Sequence, residues 1–301
     1  MDSRFNKGDE YYMKNKKDAH GKEYDISLHW CVTNTCNFSC PQCAGNARKM
    51  EGEYVPEKIN IDVLKKFLAG LNKTAQFVFT GGEPLFVENI IDAFVELTKE
   101  HYIVLITNLV SNKVKEMTER VNPERVSYIK ASAHILELEK HNLLDNFFSN
   151  YRLLREKGYT VHVAEVAYPF MIDKIDYYRK LFKENGIDLE FQAFRGSWKD
   201  KKYPDAYAED EIRLFGFEKE TVYRPDIFKH KGDLCIAGYN VAIINHVGEI
   251  YPCYSIMKKI GHIETGVSFH GTMTRCPYDY CDCPLQVLEP YLSEKALEEI
   301  K

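Results

Sequence analysis

The chain has no apolar run approaching the length needed to span a membrane. Its first 17 residues are polar and lack the apolar centre of a signal peptide. Together these absences lead us to expect a cytoplasmic protein with no membrane partner. An excess of positive charge is also missing. The formal net charge is −5, so no basic footprint for nucleic acid is expected, and the short run Lys14 to Lys17 reads as a solvated arm. What the sequence does have is nine cysteines. Disulfide staples belong to small exported scaffolds, whereas this chain has 301 residues and no export signal. Clustered cysteines in a reducing compartment read instead as metal ligands.

With 45% apolar and 28% charged residues, the chain is expected to be globular. Apolar runs alternate with amphipathic stretches. Strands are expected over Tyr24–Val32, Ala75–Thr80, His101–Thr107, Val126–Ala131, Tyr159–Val166 and Ile187–Phe194. Helices are expected over Ile61–Leu71, Asn89–Glu100, Ser111–Arg120, Leu143–Glu156 and Ile172–Glu184. In the first helix, Ile61, Leu64, Phe67, Leu68 and Leu71 share a face. Strands alternating with helices imply an α/β fold with a mostly parallel sheet. Six units fit either a doubly wound sheet or an incomplete barrel, and in both architectures ligands gather beyond the C-terminal strand ends. After Gly196 the rhythm breaks. Trp198 to Tyr207 is charged and aromatic and reads as a connector or a cover over the substrate opening, and Asp210 to Phe217 reads as a short helix. Val241–Ile244 followed by Ile250–Tyr251 reads as a hairpin in a small C-terminal module. The expected organisation is an N-terminal arm at 1–23, a core at 24–225 and a cysteine-rich module at 226–301.

Cys36, Cys40 and Cys43 follow the first strand at spacings of four and three. Three thiolates on one loop fill three corners of a four-iron, four-sulfur cubane and leave one iron open. Zinc is the competing metal, but its tetrahedral sites take four ligands, and the fourth would have to come from elsewhere. Cys31, on the strand, reads as a buried thiol. At the end of the next strand, the run Gly81-Gly82-Glu83-Pro84 allows close backbone approach and a sharp exit.

The C-x3-C-x2-C spacing of Cys36, Cys40 and Cys43, with Phe38 inside it, resembles the radical S-adenosylmethionine (SAM) superfamily. So does Gly81-Gly82-Glu83-Pro84, which is similar to that family's stretch beside the methionine amino group of SAM. The resemblance covers Tyr24 to Phe194. It implies a partial (β/α)6 TIM-like barrel and a [4Fe-4S] cluster whose open iron binds SAM. It also implies reductive cleavage of SAM to a 5'-deoxyadenosyl radical, hydrogen abstraction from a substrate carbon, and an electron donor of the flavodoxin or ferredoxin type. On this reading Gly81, Gly82, Glu83, Pro84, Asn108 and Ser132 contact the cofactor. Glu165, His134 and Arg195 are the candidate catalytic residues, and Arg195 is suited to hold an anionic group.

Cys235, Cys253, Cys276, Cys281 and Cys283 form a second set. Cys235-Ile236-Ala237-Gly238 and Gly248 to Cys253 look like the entry to the SPASM or twitch extensions of that family. Five cysteines are too few for two full clusters, so one auxiliary [4Fe-4S] cluster is expected, with one thiol to spare; a structural zinc knuckle is the alternative. The stretch before Tyr24 is short for a leader-peptide recognition domain. That favours dehydrogenation or epimerisation of a small sugar- or aminocyclitol-like metabolite over a peptide-modifying maturase, which is the second reading. A zinc-stabilised α/β binding protein is the alternative from another class.

Overall fold

The computed structural model describes residues 21–40, 43, 58–217, 231–232 and 234–279, and the backbone of 291–292. Six strands form the core: β1 (Ile26–Thr33), β2 (Ala75–Gly81), β3 (Tyr102–Thr107), β4 (Val126–Ser132), β5 (Val161–Ala167) and β6 (Leu189–Ala193). Between them run α1 (Ile61–Leu71), α2 (Ile90–Leu97), α3 (Lys113–Arg120), α4 (Ile135–Lys140), α5 (Leu144–Glu156) and α6 (Ile175–Glu184). The strands pair in parallel and in chain order, β1-β2-β3-β4-β5-β6. A doubly wound sheet reverses its order at a switch point. This sheet does not reverse, so right-handed crossovers place all of its helices on one face. The architecture is therefore the partial barrel.

Helix α1 shows how local sequence sets these elements. The Asn60 side chain accepts hydrogen bonds from the Asp62 and Val63 N–H groups and caps the helix start. Leu64, Phe67 and Leu71 are buried, with Ile61 and Leu68 packed beside them. Asn72 ends the helix in the left-handed region at φ 50°. The expected elements are all present. The structure adds α4, which sequence reading passed over because six polar and apolar residues give too little periodicity. It also resolves the connector after β6 into an antiparallel hairpin, β7 (Gly196–Trp198) and β8 (Lys201–Tyr203), followed by α7 (Glu209–Phe215).

The two faces of the sheet differ. Ile26, Leu28, Trp30 and Val32 of β1 join Phe77, Phe79, Ile103, Leu105, Ile129 and Ala131 in the core shared with the helices. The alternate positions Cys31, Thr80, Ile106, Lys130, Ser132, Val166 and Gln192 are partly or well exposed. With a side-chain period of two, these residues line the concave lumen of the barrel.

The C-terminal region continues the same sheet. β10 (Val241–Ile244) pairs in parallel with β1 on its free side. It then hairpins to β11 (Glu249–Tyr251), which pairs with β12 (Gly261–His262), and β12 pairs in turn with β13 (Gly266–Val267), each in antiparallel fashion. A separate small sheet joins β9 (Leu234–Cys235) to β14 (Thr274–Arg275) and β15 (Tyr291–Leu292). Position 225, where the core is expected to end, lies outside the described residues, as do Cys281, Cys283 and nearly all of the N-terminal arm.

Candidate active site

The cysteine loop leaves the C-terminal end of β1 and is held from several sides. The Phe38 N–H points to Cys36 Sγ at 3.4 Å, and the Cys43 N–H donates to Cys40 O at 3.3 Å. Between the cysteines, the Ser39 N–H donates to Glu137 Oε2 of α4 at 3.0 Å. Asn108 Nδ2 donates to Asn37 Oδ1 at 2.7 Å. Phe38 is buried, with its ring stacked on His141 and edge-on to His134.

The glycine run at the end of β2 acts on the same loop. The Gly82 N–H donates to Thr33 O at 2.7 Å and the Glu83 N–H to Thr35 O at 2.8 Å. A Cβ on Gly81 would lie 2.2 Å from Thr33 O, and one on Gly82 2.0 Å from Thr35 O. The close approach expected from the sequence is thus made to the chain's own cysteine loop. Glu83 turns inward and is 1% exposed. It accepts from the Leu85 N–H (3.1 Å), Thr107 Oγ1 (2.6 Å) and the Asn108 N–H (2.7 Å), fastening the end of β3 to the end of β2. Burial pushes its carboxyl up to about 7, against the pull of those three donors. Pro84 opens a buried 3-10 turn directly after it.

A small open pocket lies beside the loop, lined by Cys40, His134, Leu136, Glu137, Glu165 and Tyr168. Glu165, 2% exposed, accepts from the Ile135 N–H at 2.6 Å and the Val166 N–H at 2.8 Å, so it fixes the start of α4. Burial raises it to about 7 as well. Burial lowers His134, more than the opposing charge of Glu137 raises it, so the pocket presents a neutral imidazole. His134 sits in the left-handed region at φ 43°. Burial also raises the Glu137 carboxyl, but the Ser39 N–H, Lys140 and His141 outweigh it and leave it below the usual range. Among the expected residues the structure thus gathers the cysteine triad, Glu83, Asn108, His134 and Glu165, with Ser132 at the top of β4 on the lumen side. Arg195 is exposed just past β6 and does not line this pocket. Glu137 went unrecognised in the sequence. The signal available was a carboxylate on a short segment directly after a strand end.

The donor set is suited to a cluster. The Cys40 thiol is pushed up to about 12, first by burial and then by Cys43, Cys36, Glu137 and Glu165. Three thiolates this close repel one another, and a cationic centre among them reverses that sign. Among the described residues, no three His, Cys, Asp or Glu side chains converge as a site for a single metal ion.

In the C-terminal region Cys235 is buried on β9 and receives the Ala237 N–H at 3.4 Å, while Cys253 receives the Ile256 N–H at 3.3 Å. Tyr278 Oη donates to Ser255 O at 2.8 Å, tying the Cys276 segment to the Cys253 turn. The next residue, Tyr254, reaches Cys31 Sγ in the lumen at 3.7 Å. The turn that carries Cys253 therefore borders the barrel.

Comparison with known proteins agrees with this construction. Residues 30–177 match the radical SAM superfamily profile. An uncharacterized protein of Methanocaldococcus jannaschii is 30% identical over 103 residues, covering 30% of this chain and 35% of that protein. GTP 3',8-cyclase of Clostridium perfringens is 26% identical over 223 residues, covering 68% of this chain and 66% of the cyclase. The chain thus spans about a third of the first relative and just under two thirds of the second. Of solved structures, native anSMEcpe with bound AdoMet superposes with a TM-score of 0.52 at 17% identity, covering 79% of this chain and 78% of that one. Streptococcus suis SuiB bound to S-adenosylmethionine superposes with a TM-score of 0.53 at 17% identity, covering 80% and 64%; these two likenesses concern the fold. With the cysteine spacing, the parallel barrel and the profile match in agreement, the chain belongs to the radical SAM superfamily, whose members carry a [4Fe-4S] cluster and bind SAM.

Proposed function

We propose that this radical SAM enzyme abstracts hydrogen from a carbon of a small metabolite held in the barrel lumen, leading to dehydrogenation or epimerisation of a sugar- or aminocyclitol-like compound. Cys36, Cys40 and Cys43 hold the cluster, which when bound supplies the electron that cleaves SAM. Gly81, Gly82, Glu83 and Pro84 set the distance between the β2 end and the cysteine loop. Asn108 and Ser132 face the cofactor from the ends of β3 and β4. Glu165 and His134 form the pocket wall beside Cys40, and Arg195 meets the substrate at the rim. One auxiliary [4Fe-4S] cluster is held by Cys235, Cys253 and two of Cys276, Cys281 and Cys283. It belongs to a module at 226–301 that follows the core at 24–225 in the chain. A flavodoxin- or ferredoxin-type protein of the cytoplasm provides the electron.

The observation that supports this reading best is the lumen face itself. Its accessible side chains include Thr80, Lys130, Ser132 and Gln192, and through Cys31 of β1 it meets Tyr254, the neighbour of Cys253. A peptide substrate is the second reading. The rings of Tyr168 and Phe170 stack at 5.0 Å, and that of Trp198 tilts against Phe170 at 4.9 Å; this row runs from the pocket to the surface and suits an extended chain.

The test is anaerobic reconstitution followed by iron and sulfide counting, expected at about eight irons per chain for two cubanes, and then reduction in the presence of SAM. Deuterated sugars, aminocyclitols and peptides are screened for transfer of deuterium into 5'-deoxyadenosine. Absence of deoxyadenosine from fully loaded protein under every condition would overturn the proposal.

A further inference from the structure

Lys130 lies in the middle of β4, between Ile129 and Ala131, both fully buried on the helix side. Alternation along the strand points Lys130 into the lumen. In the sheet register it stands beside Ile106 of β3 and His162 of β5, one lumen position below Ser132. The residue is half-buried. Among the described residues it has neither an ion-pair nor a hydrogen-bond partner. Glu190 on β6 attracts it from a distance, but burial outweighs that attraction and lowers its pKa. Removing an ammonium from water with no counter-charge in contact is costly. A cation kept in such a place is a candidate for binding an anion. Its surroundings fit that role: an exposed imidazole beside it, a serine hydroxyl above it, and the apolar Ile106 on the other side.

We propose that Lys130 anchors a carboxylate or phosphate group of the substrate inside the barrel lumen. This rests on the reading of the chain as a lumen-binding radical SAM enzyme and narrows its substrate class. A compound bearing only ammonium groups is repelled by Lys130. A sugar phosphate or a hydroxy acid is drawn in, with its anionic end held below Ser132 and its carbon skeleton directed up toward the cysteine loop.

The experiment uses reconstituted protein with inorganic phosphate as the probe. Trace acetylation with acetic anhydride, read by peptide mass spectrometry, reports the reactivity of each lysine. Phosphate is expected to slow acetylation of Lys130 several-fold, with or without saturating SAM, and to leave the exposed Lys180 unchanged. A ³¹P titration is expected to show phosphate binding weakened about tenfold in Lys130→Gln and restored in Lys130→Arg, with circular dichroism confirming that both variants fold. No protection by phosphate overturns the proposal. So does protection by SAM that is lost with decarboxylated SAM, since Lys130 would then hold the cofactor's own carboxylate. Deoxyadenosine formation by wild-type protein in which phosphate fails to protect Lys130 sinks the anion site alone. Phosphate protection in protein that forms no deoxyadenosine sinks the functional reading and leaves the anion site standing.

Discussion

The buried carboxyl of Glu83 makes the stability of this fold depend on pH in a direction opposite to that of most carboxylates. Its ordinary value of 4.5 rises to about 7 in the folded chain because burial penalises the charged form. A raised folded pKa means that the folded state holds the proton more tightly than the unfolded one. The stabilisation is therefore complete below pH 4.5 and is lost as pH climbs through 7. The rise corresponds to about 3 kcal/mol. Glu165, raised to about 7 by the same cause, adds a loss of the same sign. In Glu83→Gln the amide oxygen can still accept from the Leu85 N–H and Thr107 Oγ1. Its NH2 then meets the Asn108 N–H, donor against donor. Leaving that buried donor unpaired costs about 1–3 kcal/mol, or a few degrees in melting temperature for a chain of this size. Thermal unfolding of cluster-free protein, followed by fluorescence between pH 5 and 8, reads both effects. The variant is expected to melt lower than wild type at pH 5 and to lose less stability on going to pH 8. If the two proteins fall in parallel with pH, Glu83 is ionised throughout, its three donors outweigh its burial, and the reasoning fails.

Gly82→Ala places a methyl group against Thr35 O, 2.0 Å away before relaxation. It is expected to cost about 1–3 kcal/mol and to lower iron content on reconstitution, both measurable on one preparation. Glu137→Gln weakens the bond from the Ser39 N–H. Cluster loss to a chelator is expected to quicken several-fold, while the melting temperature of the cluster-free chain shifts by only a few degrees. An unchanged release rate would remove Glu137 from the support of the loop. Cys40→Ser is expected to abolish SAM cleavage and to leave the iron of the second cysteine set in place, as counted by iron analysis. Cys235→Ala is expected to remove about four irons while the first cluster still gives deoxyadenosine on reduction. Loss of all iron in that variant would mean that the two cysteine sets do not load independently.

Much of the architecture was legible because it repeats locally. The period of Ile61, Leu64, Phe67 and Leu71 marks α1 without reference to anything distant. The spacing of Cys36, Cys40 and Cys43 marks a thiolate loop in the same way. Helix α4 was illegible, since six residues carry too little pattern and its start is fixed by Glu165, 30 residues further on. The sequence marks Glu83 as a cofactor-contact residue but does not show which way its side chain turns. Its inward turn depends on donors at Thr107 and Asn108, more than 20 residues away. Glu137 meets the cysteine loop across 98 residues of chain, a distance at which sequence pattern carries no information about contact.

The sequence alone determined which segments are strands and helices, and which residue types are present to bind iron, because backbone preference and side-chain period act over a few residues. Only the tertiary structure decided that the strands run in unbroken order, that β10 closes onto the free side of β1, and that one face of the sheet is an open lumen into which Lys130 points. Those features follow from packing between distant segments, where burying apolar faces against helices leaves the alternate side chains directed into the barrel.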